Sequence, residues 1–177
     1  MTPQDSKSMS EQQVIIGLTN PKSATNVGAI MRAAGCFNVH SVLYTGSRYD
    51  RSVKLNTDTK KIISTIPLLP VDSLLANKKP ETKIICVDLV EGATPLPAFQ
   101  HPTNAIYIFG PEDNTIKQNV IDQADHVVYI PTIGCLNLAA TVNIVLYDRI
   151  SKLSSHHTDN DLIRSSRDTN NRVKVKQ

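Results

Sequence analysis

Three short stretches of the sequence carry side chains suited to binding a polar or phosphorylated ligand. The first, residues 20–34, contains Asn26, Gly28 and Arg32. A glycine inside a helix costs roughly 1 kcal/mol relative to alanine, so close packing or close approach of a ligand is expected at Gly28. Arg32 follows one turn later, and its planar donor fork suits a phosphate. An ordinary surface arginine is the alternative interpretation.

The second stretch is a buried, strand-like run that ends at Gly110, with Glu112 two residues later. Glycine lets the backbone approach a ligand closely, and Glu112 is expected in the first turn of the helix that follows. A simple capping carboxylate is the alternative. In the third stretch, Asn137 and Asn143 interrupt an otherwise apolar helix. Buried amides need partners, although Asn137 is also placed to act as an ordinary helix cap.

Apolar blocks of strand length alternate with helical stretches along the chain, which predicts the α/β class with a parallel sheet and flanking helices. The predicted strands are Val14–Leu18, Ser41–Tyr44, Lys83–Leu89, Ala105–Phe109 and His126–Ile130. The predicted helices are Ala24–Cys36, a stretch around Val71–Ala76, Thr115–Gln123 and Leu136–Lys152. Ligands of such sheets bind at the carboxyl ends of the strands. The loops expected there are Thr19–Thr25, Glu91–Asn104, Gly110–Asn114 and Pro131–Cys135.

Positive charge is concentrated in two places. A cluster after the second strand is the better candidate for an RNA or DNA footprint; its members are Arg48, Arg51, Lys54, Lys60 and Lys61. The whole formal surplus of +3 lies beyond residue 150. That segment either holds a polyanion or is a disordered, solvated tail.

Length and composition limit the function classes. The 177 residues, 40% of them hydrophobic, suit one globular domain, and no apolar run approaches the roughly 20 residues of a membrane span. The polar start resembles no targeting signal, so a cytoplasmic location is expected. Three distant cysteines argue against a disulfide framework or a zinc site. We expect a flexible extension at 1–13, one domain at 14–153 and a basic, disordered tail at 154–177.

The order and spacing of the three stretches are more specific than any single residue. An NxGxxxR motif follows the first strand, a later strand ends in GPE, and IP followed by GCLNLA opens the last helix. Over Val14 to Leu153 the chain therefore resembles the SpoU or TrmH family of SPOUT methyltransferases. The resemblance implies a deep C-terminal trefoil knot, a rare exception to unknotted topology. It also implies a homodimer that binds S-adenosylmethionine, without a metal, and methylates a ribose 2′-hydroxyl of RNA.

Carried over position by position, the resemblance assigns two sets of site residues. The catalytic motif positions are Asn26, Arg32, Glu112 and Asn137. The cofactor pocket is expected from Leu89, Gly110, Ile130 and Leu136, and S-adenosylhomocysteine is the expected product. Because a guanidinium is not normally deprotonated, Arg32 is interpreted as a clamp on the phosphate beside the reacting ribose.

Some positions depart from the family pattern. Asn114 stands where glycine is usual, and Cys135 and Ala139 stand where serines are usual. The changes at Cys135 and Ala139 support an alternative, a catalytically silent knotted RNA-binding protein, whereas asparagine tolerates a left-handed backbone almost as glycine does. The leading interpretation is an RNA 2′-O-methyltransferase with tRNA as the first expected substrate and rRNA as the second.

Overall fold

The computed structural model describes residues 13–55, 66–76, 78–153, 160–167 and 172–175. Within these ranges seven strands form one sheet in the order β3-β2-β1-β6-β4-β7-β5, and every pair in it is parallel. The strands are β1 Val14–Leu18, β2 Ser41–Tyr44, β3 Leu68–Pro70, β4 Lys83–Val87, β5 Thr94–Pro95, β6 Ala105–Phe109 and β7 His126–Tyr129. The predicted parallel α/β sheet is confirmed, while the knot stays a prediction.

Five helices accompany the sheet in the described ranges. They are α1 Ala24–Cys36, α2 Arg48–Leu55, α3 Gln118–Ile121, α4 Leu138–Lys152 and α5 Asn160–Ser166, with a short 3-10 turn at Leu96–Ala98. Helix α1 begins where the Ser23 hydroxyl accepts the Asn26 N–H at 3.2 Å. Asn137 caps helix α4, because its Oδ1 accepts the Ala139 N–H at 2.8 Å. The helix therefore starts at Leu138, two residues later than predicted.

Both faces of the sheet are buried, as the continuous apolar runs of parallel strands require. In β6, Tyr107 and Phe109 belong to the core under α1 and α4, where they pack with Ile30 and Leu146. Ile106 and Ile108 belong to a second core on the opposite face, which includes Leu74, Cys86 and Ile116. The central strands β1 and β6 are therefore buried on both faces, and their ends are the places where the described part of the sheet can contact a ligand.

Two predicted helices are wrong or too long. Residues 71–76 form turns, because Pro70 ends β3 and the Ser73 hydroxyl accepts the Leu75 N–H at 3.2 Å, a local bond that competes with helix formation. The helix predicted at Thr115–Gln123 is reduced to α3, because the Ile116 N–H is bound by the Asp88 carboxylate at 2.8 Å and Lys117 is extended. Glu112 consequently lies in the turn after β6 and not in a helix.

The proline-rich loop Glu91–Asn104 is fastened to α4. Leu96 and Phe99 are buried in the core that α4 also lines. The buried Arg149 guanidinium donates to the carbonyls of Pro102 at 2.5 Å and Thr103 at 2.7 Å. The loop therefore covers the core beside α4.

Part of the C-terminal tail also differs from the expected disorder. Residues 160–166 form α5, where Asp161 in the first turn and Arg164 in the last turn form an ion pair. Opposite charges at this spacing, with the acid nearer the N-terminus, stabilise a short helix. No helix in the described part of the chain is both long and apolar enough to span a membrane.

Candidate functional site

A cavity of about 590 Å³ opens at the carboxyl ends of β4, β6 and β7. These are neighbouring strands at the edge where parallel sheets bind ligands. Of the four predicted loops, those after β1, β6 and β7 contribute to its lining, and the described residues 91–104 do not. The short segment directly after β4, which contains Asp88 and Leu89, lines the cavity in their place.

All four residues predicted to bind the cofactor line this cavity: Leu89, Gly110, Ile130 and Leu136. The Leu89 side chain is 50% exposed and that of Leu136 39%. Leucine is seldom this exposed on an ordinary protein surface, but exposed leucines are typical of a pocket that buries an apolar part of a ligand. Sequence and structure therefore agree on which residues share the pocket, and their role in binding a cofactor stays a prediction.

The backbone at Gly110 has little room for a side chain. A Cβ added there would lie 3.3 Å from the Ile116 backbone nitrogen and 3.4 Å from the Asp88 carboxylate. That carboxylate accepts the N–H groups of Leu89 and Ile116, each at 2.8 Å, and so fixes two walls of the cavity together. Asp88 was not among the site residues predicted from the sequence. The pattern that could have identified it is an acidic residue directly after a buried strand.

Glu112 ties the loop after β6 to the start of α1. Its carboxylate accepts the Lys22 N–H at 3.0 Å, the Ser23 N–H at 3.1 Å and the Asn26 side-chain amide at 3.0 Å. Burial alone would raise the pKa of Glu112, but these hydrogen bonds lower it below its ordinary value of 4.5. Glu112 is therefore an anion near neutral pH that organises its neighbours, which makes it a poor base.

Asn137 extends this network to α4. Its Oδ1 caps the helix, which leaves Nδ2 to donate to Asn26 Oδ1 at 3.0 Å. The Asn137 side chain is therefore a helix cap and also a member of this hydrogen-bonded cluster. Three of the four predicted catalytic residues, Asn26, Glu112 and Asn137, are thus hydrogen-bonded to one another along one wall of the cavity.

Arg32 is not part of this cluster. It is exposed on α1, six residues beyond Asn26, or about 9 Å along the helix axis. It does not line the cavity within the described chain. Gly28, the other feature of this motif, has no described atom within 4 Å of an added Cβ, so the close packing expected there is not present within the chain.

The predicted basic cluster divides into separate parts. Arg48 forms two hydrogen bonds to Asp113, at 3.0 and 2.8 Å, whereas Arg51 donates to the Ser47 carbonyl one turn away. Lys54 belongs to α2, and Lys60 and Lys61 lie outside the described residues. Asp113 also accepts from Lys22 at 3.3 Å. Its hydrogen bonds to Arg48 and Lys22 lower the pKa of Asp113 from 3.8 to about 2.

Comparison with known proteins adds independent information. The model of the SpoU rRNA Methylase family matches residues 13–147. The chain is 25% identical over 150 residues to the 23S rRNA (guanosine-2'-O-)-methyltransferase RlmB of Acinetobacter baylyi, an alignment that covers 78% of this chain. It covers 59% of RlmB, so the chain spans about three-fifths of the length of this curated relative.

Two solved structures share the fold. The SpoU methyltransferase AviRb from Streptomyces viridochromogenes, crystallised in complex with AdoMet, has a TM-score of 0.65 at 21% identity over 83% of this chain and 60% of that chain. A structure solved for insight into the 2-OH methylation of C/U34 on tRNA has a TM-score of 0.66 at 17% identity, over 83% of this chain and 100% of that chain. Since the family model covers well over half of the sequence, the protein belongs to the SpoU rRNA Methylase family.

Proposed function

We propose that this protein is an S-adenosylmethionine-dependent RNA methyltransferase that modifies a ribose 2′-hydroxyl. The observation that carries the proposal is the hydrogen-bonded set of Asn26, Glu112 and Asn137 on the wall of a cavity lined by all four expected cofactor residues. Asn26 and Asn137, which belong to the first and the third motif, are 111 positions apart in the sequence. Membership of the SpoU family supports the same activity.

The residues that line the cavity suit S-adenosylmethionine in their chemistry. Leu89 and Leu136 offer exposed apolar surface for the adenine, and Gly110 lines the cavity with main-chain atoms only. When bound, the cofactor supplies an electrophilic methyl group. The AdoMet complex of AviRb supports this assignment by relationship.

The chain's own residues have two tasks in the proposed reaction. Asn26, held by Glu112 and Asn137, orients the ribose beside the cavity, and alignment of this kind supplies up to roughly 7–11 kcal/mol in ideal cases. Arg32 binds the adjoining phosphate and stabilises the developing alkoxide. The 2′-oxygen gains the methyl group and loses its proton to that phosphate or to water.

The RNA class is proposed as tRNA, with rRNA as the alternative. The structure concerned with C/U34 on tRNA is covered over its full length by this chain, which supports tRNA. RlmB is named for 23S rRNA, and only 59% of it is covered. A cytoplasmic location is proposed with either substrate.

A homodimer is also proposed. On α4, the Ile144 side chain is 38% exposed and Tyr147 is 65% exposed, three residues apart on adjoining turns. Large apolar side chains next to one another on a helix surface are typical of a protein interface. Helix α4 packs beside α1, the helix that carries Arg32 and Gly28.

The test is methyl transfer from tritiated S-adenosylmethionine to total RNA from a methyltransferase-deficient host, followed by nucleoside analysis of the separated tRNA and rRNA. Label in a 2′-O-methyl nucleoside supports the proposal and identifies the RNA class. Label on a base contradicts the ribose assignment. Cofactor binding by calorimetry without any label favours the silent RNA-binding alternative, for which Cys135 on the cavity wall is the main structural argument.

A further inference from the structure

A second cavity lies beside the first and has no assigned role. It measures about 1200 Å³, above the roughly 300–1,000 Å³ of small-ligand sites, and opens at the carboxyl ends of β1 and β2. The turn at 72–76 and the segment 116–120 form its sides. The two cavities share a wall, made of Pro111, Asp113, Asn114 and Thr115. A ligand bound in one cavity is therefore adjacent to the other.

The lining is rich in uncharged polar side chains. Five amides and four hydroxyls border it: Asn20, Asn114, Gln118, Asn119, Gln123, Thr19, Thr45, Ser73 and Thr115. Amides offer both donors and acceptors, which match the hydrogen-bonding edges of a nucleobase. Apolar contact comes from Leu74 and Ile116, both buried. This combination suits an unpaired base better than a small ion or a purely apolar molecule.

Two oxygens at the end of β1 lack partners. Thr19 Oγ1 and Asn20 Oδ1 are buried, and neither forms a hydrogen bond within the described residues. Asn20 has a left-handed backbone with φ of 44°, and a Cβ at Gly46 would lie 2.2 Å from its Oδ1, so only glycine fits there. Buried polar atoms are rarely left unpaired, and both residues line the second cavity.

An ion-pair group stands at the boundary between the cavities. Asp113 is shared by the Arg48 guanidinium and the Lys22 ammonium, so two cations surround one anion and the group keeps a net charge of +1. The Arg48 side chain is only a quarter exposed, and it lines the second cavity at this boundary. A phosphodiester carries one negative charge and accepts the same forked hydrogen bonds that Asp113 accepts.

We propose that the second cavity holds the base of the nucleotide next to the methylated one, with the intervening phosphodiester bound by Arg48 and Lys22. The proposal rests on the proposed function, and it adds a substrate-recognition site to it. Asp113 then competes with the phosphate for the two cations. Recognition of the neighbouring base gives the enzyme a sequence preference that the cofactor cavity alone does not provide.

Photo-crosslinking locates the RNA independently of methyl transfer. Total RNA labelled with 4-thiouridine is irradiated with the full-length protein, and the crosslinked peptides are mapped by mass spectrometry. Crosslinks within 72–76 or 116–123 are expected, and crosslinks confined to other segments overturn the proposal. Methyl transfer is measured in the same samples, so crosslinks without transfer count against the proposed function alone. Transfer without these crosslinks counts against the second site alone.

Two substitutions at the boundary are expected to act in opposite directions on the KM for RNA. Arg48→Ala raises this KM about tenfold, and Arg48→Lys restores part of the loss. Asp113→Asn removes the competing anion and lowers the KM severalfold. The affinity for S-adenosylmethionine stays near wild type in Arg48→Ala, because Arg48 lines only the second cavity. Lys79→Ala, which removes an exposed cation at the opposite end of the sheet, serves as the control. A rise in KM for both Arg48→Ala and Asp113→Asn means that the ion pair is merely structural and contradicts the proposal.

Discussion

Asn137 donates from Nδ2 to Oδ1 of Asn26 at 3.0 Å, which joins the start of α4 to the first turn of α1. Asn26 in turn donates to Glu112, and a carboxylate only accepts hydrogen bonds. Since Glu112 fixes the orientation of Asn26 and Asn26 fixes that of Asn137, the direction of every bond in the set is determined. The set therefore keeps its geometry before any ligand arrives.

Replacing Glu112 with glutamine tests this directionality. A glutamine side chain brings an NH2 group to a place where three N–H donors converge, so at least one donor loses its acceptor. We expect the free energy of unfolding to fall by about 1–3 kcal/mol and methyl transfer to fall about a hundredfold. Chemical denaturation and single-turnover assays measure the two effects. The exposed Glu81→Gln is the matched control, and equal behaviour of the two variants would argue against the network.

Arg32 is predicted to act in transfer and not in cofactor binding. It lies outside the cavity lining, so Arg32→Ala should leave the calorimetric Kd for S-adenosylmethionine unchanged. Loss of one charged donor to the developing alkoxide is expected to reduce kcat about a hundredfold or more. A variant that methylates RNA at nearly the wild-type rate would remove Arg32 from the mechanism.

The α4 surface predicts how the dimer forms. Tyr147→Ser removes a largely exposed aromatic ring from the proposed interface and is expected to raise the dimer Kd at least about tenfold. Sedimentation analysis over a concentration series measures this shift. Leu69→Ser changes a side chain of similar exposure, 49%, on β3 and should leave the dimer intact. If both variants remain equally dimeric, the interface lies elsewhere.

The buried His101 makes stability depend on pH. Its ring contacts the Tyr107 hydroxyl at 2.6 Å and the Asp148 carboxylate at 2.8 Å. Burial lowers the pKa of His101 below 6.5, outweighing the opposite effect of Asp148. As pH falls below 6.5 the unfolded chain therefore takes up this proton before the folded chain does, and folding stability decreases.

Denaturant unfolding from about pH 7 to about pH 5 measures this effect. His101→Gln should flatten the decline, although it lowers stability at neutral pH. His40→Gln, at an exposed histidine, should keep the wild-type slope. The same slope in both variants would show that another group is responsible.

The sheet was predictable because its strands are fully buried apolar runs, such as Val14–Leu18 and Ala105–Phe109, whose type is determined by local sequence. Strands β3 and β5 have only three and two residues, too short to leave a periodic pattern, and their pairing depends on neighbours that are distant in sequence. Helix α2 begins in a polar stretch, and sequence analysis treated it only as a charge cluster.

The sequence predicted which residues belong to the candidate site, but it did not predict how they contact one another. Asn26, Glu112 and Asn137 were identified from motif order, yet the hydrogen bonds that link them depend on how β1, β6 and α4 meet. Charge composition placed Arg48 in an RNA footprint but gave no sign of Asp113, which lies 65 residues away and neutralises part of its charge. An ion pair such as Arg48–Asp113 depends on the tertiary fold, so a single sequence does not reveal it.

The position of Asn137 at the start of α4 has a consequence for the order of events during synthesis. The residues that build the cofactor cavity begin at Lys22 and end at Thr141, in the last helix that packs on the sheet. Asn137 and the first turn of α4 are synthesised after all seven strands of the described sheet, so the wall that they form is the last part of this cavity to be completed.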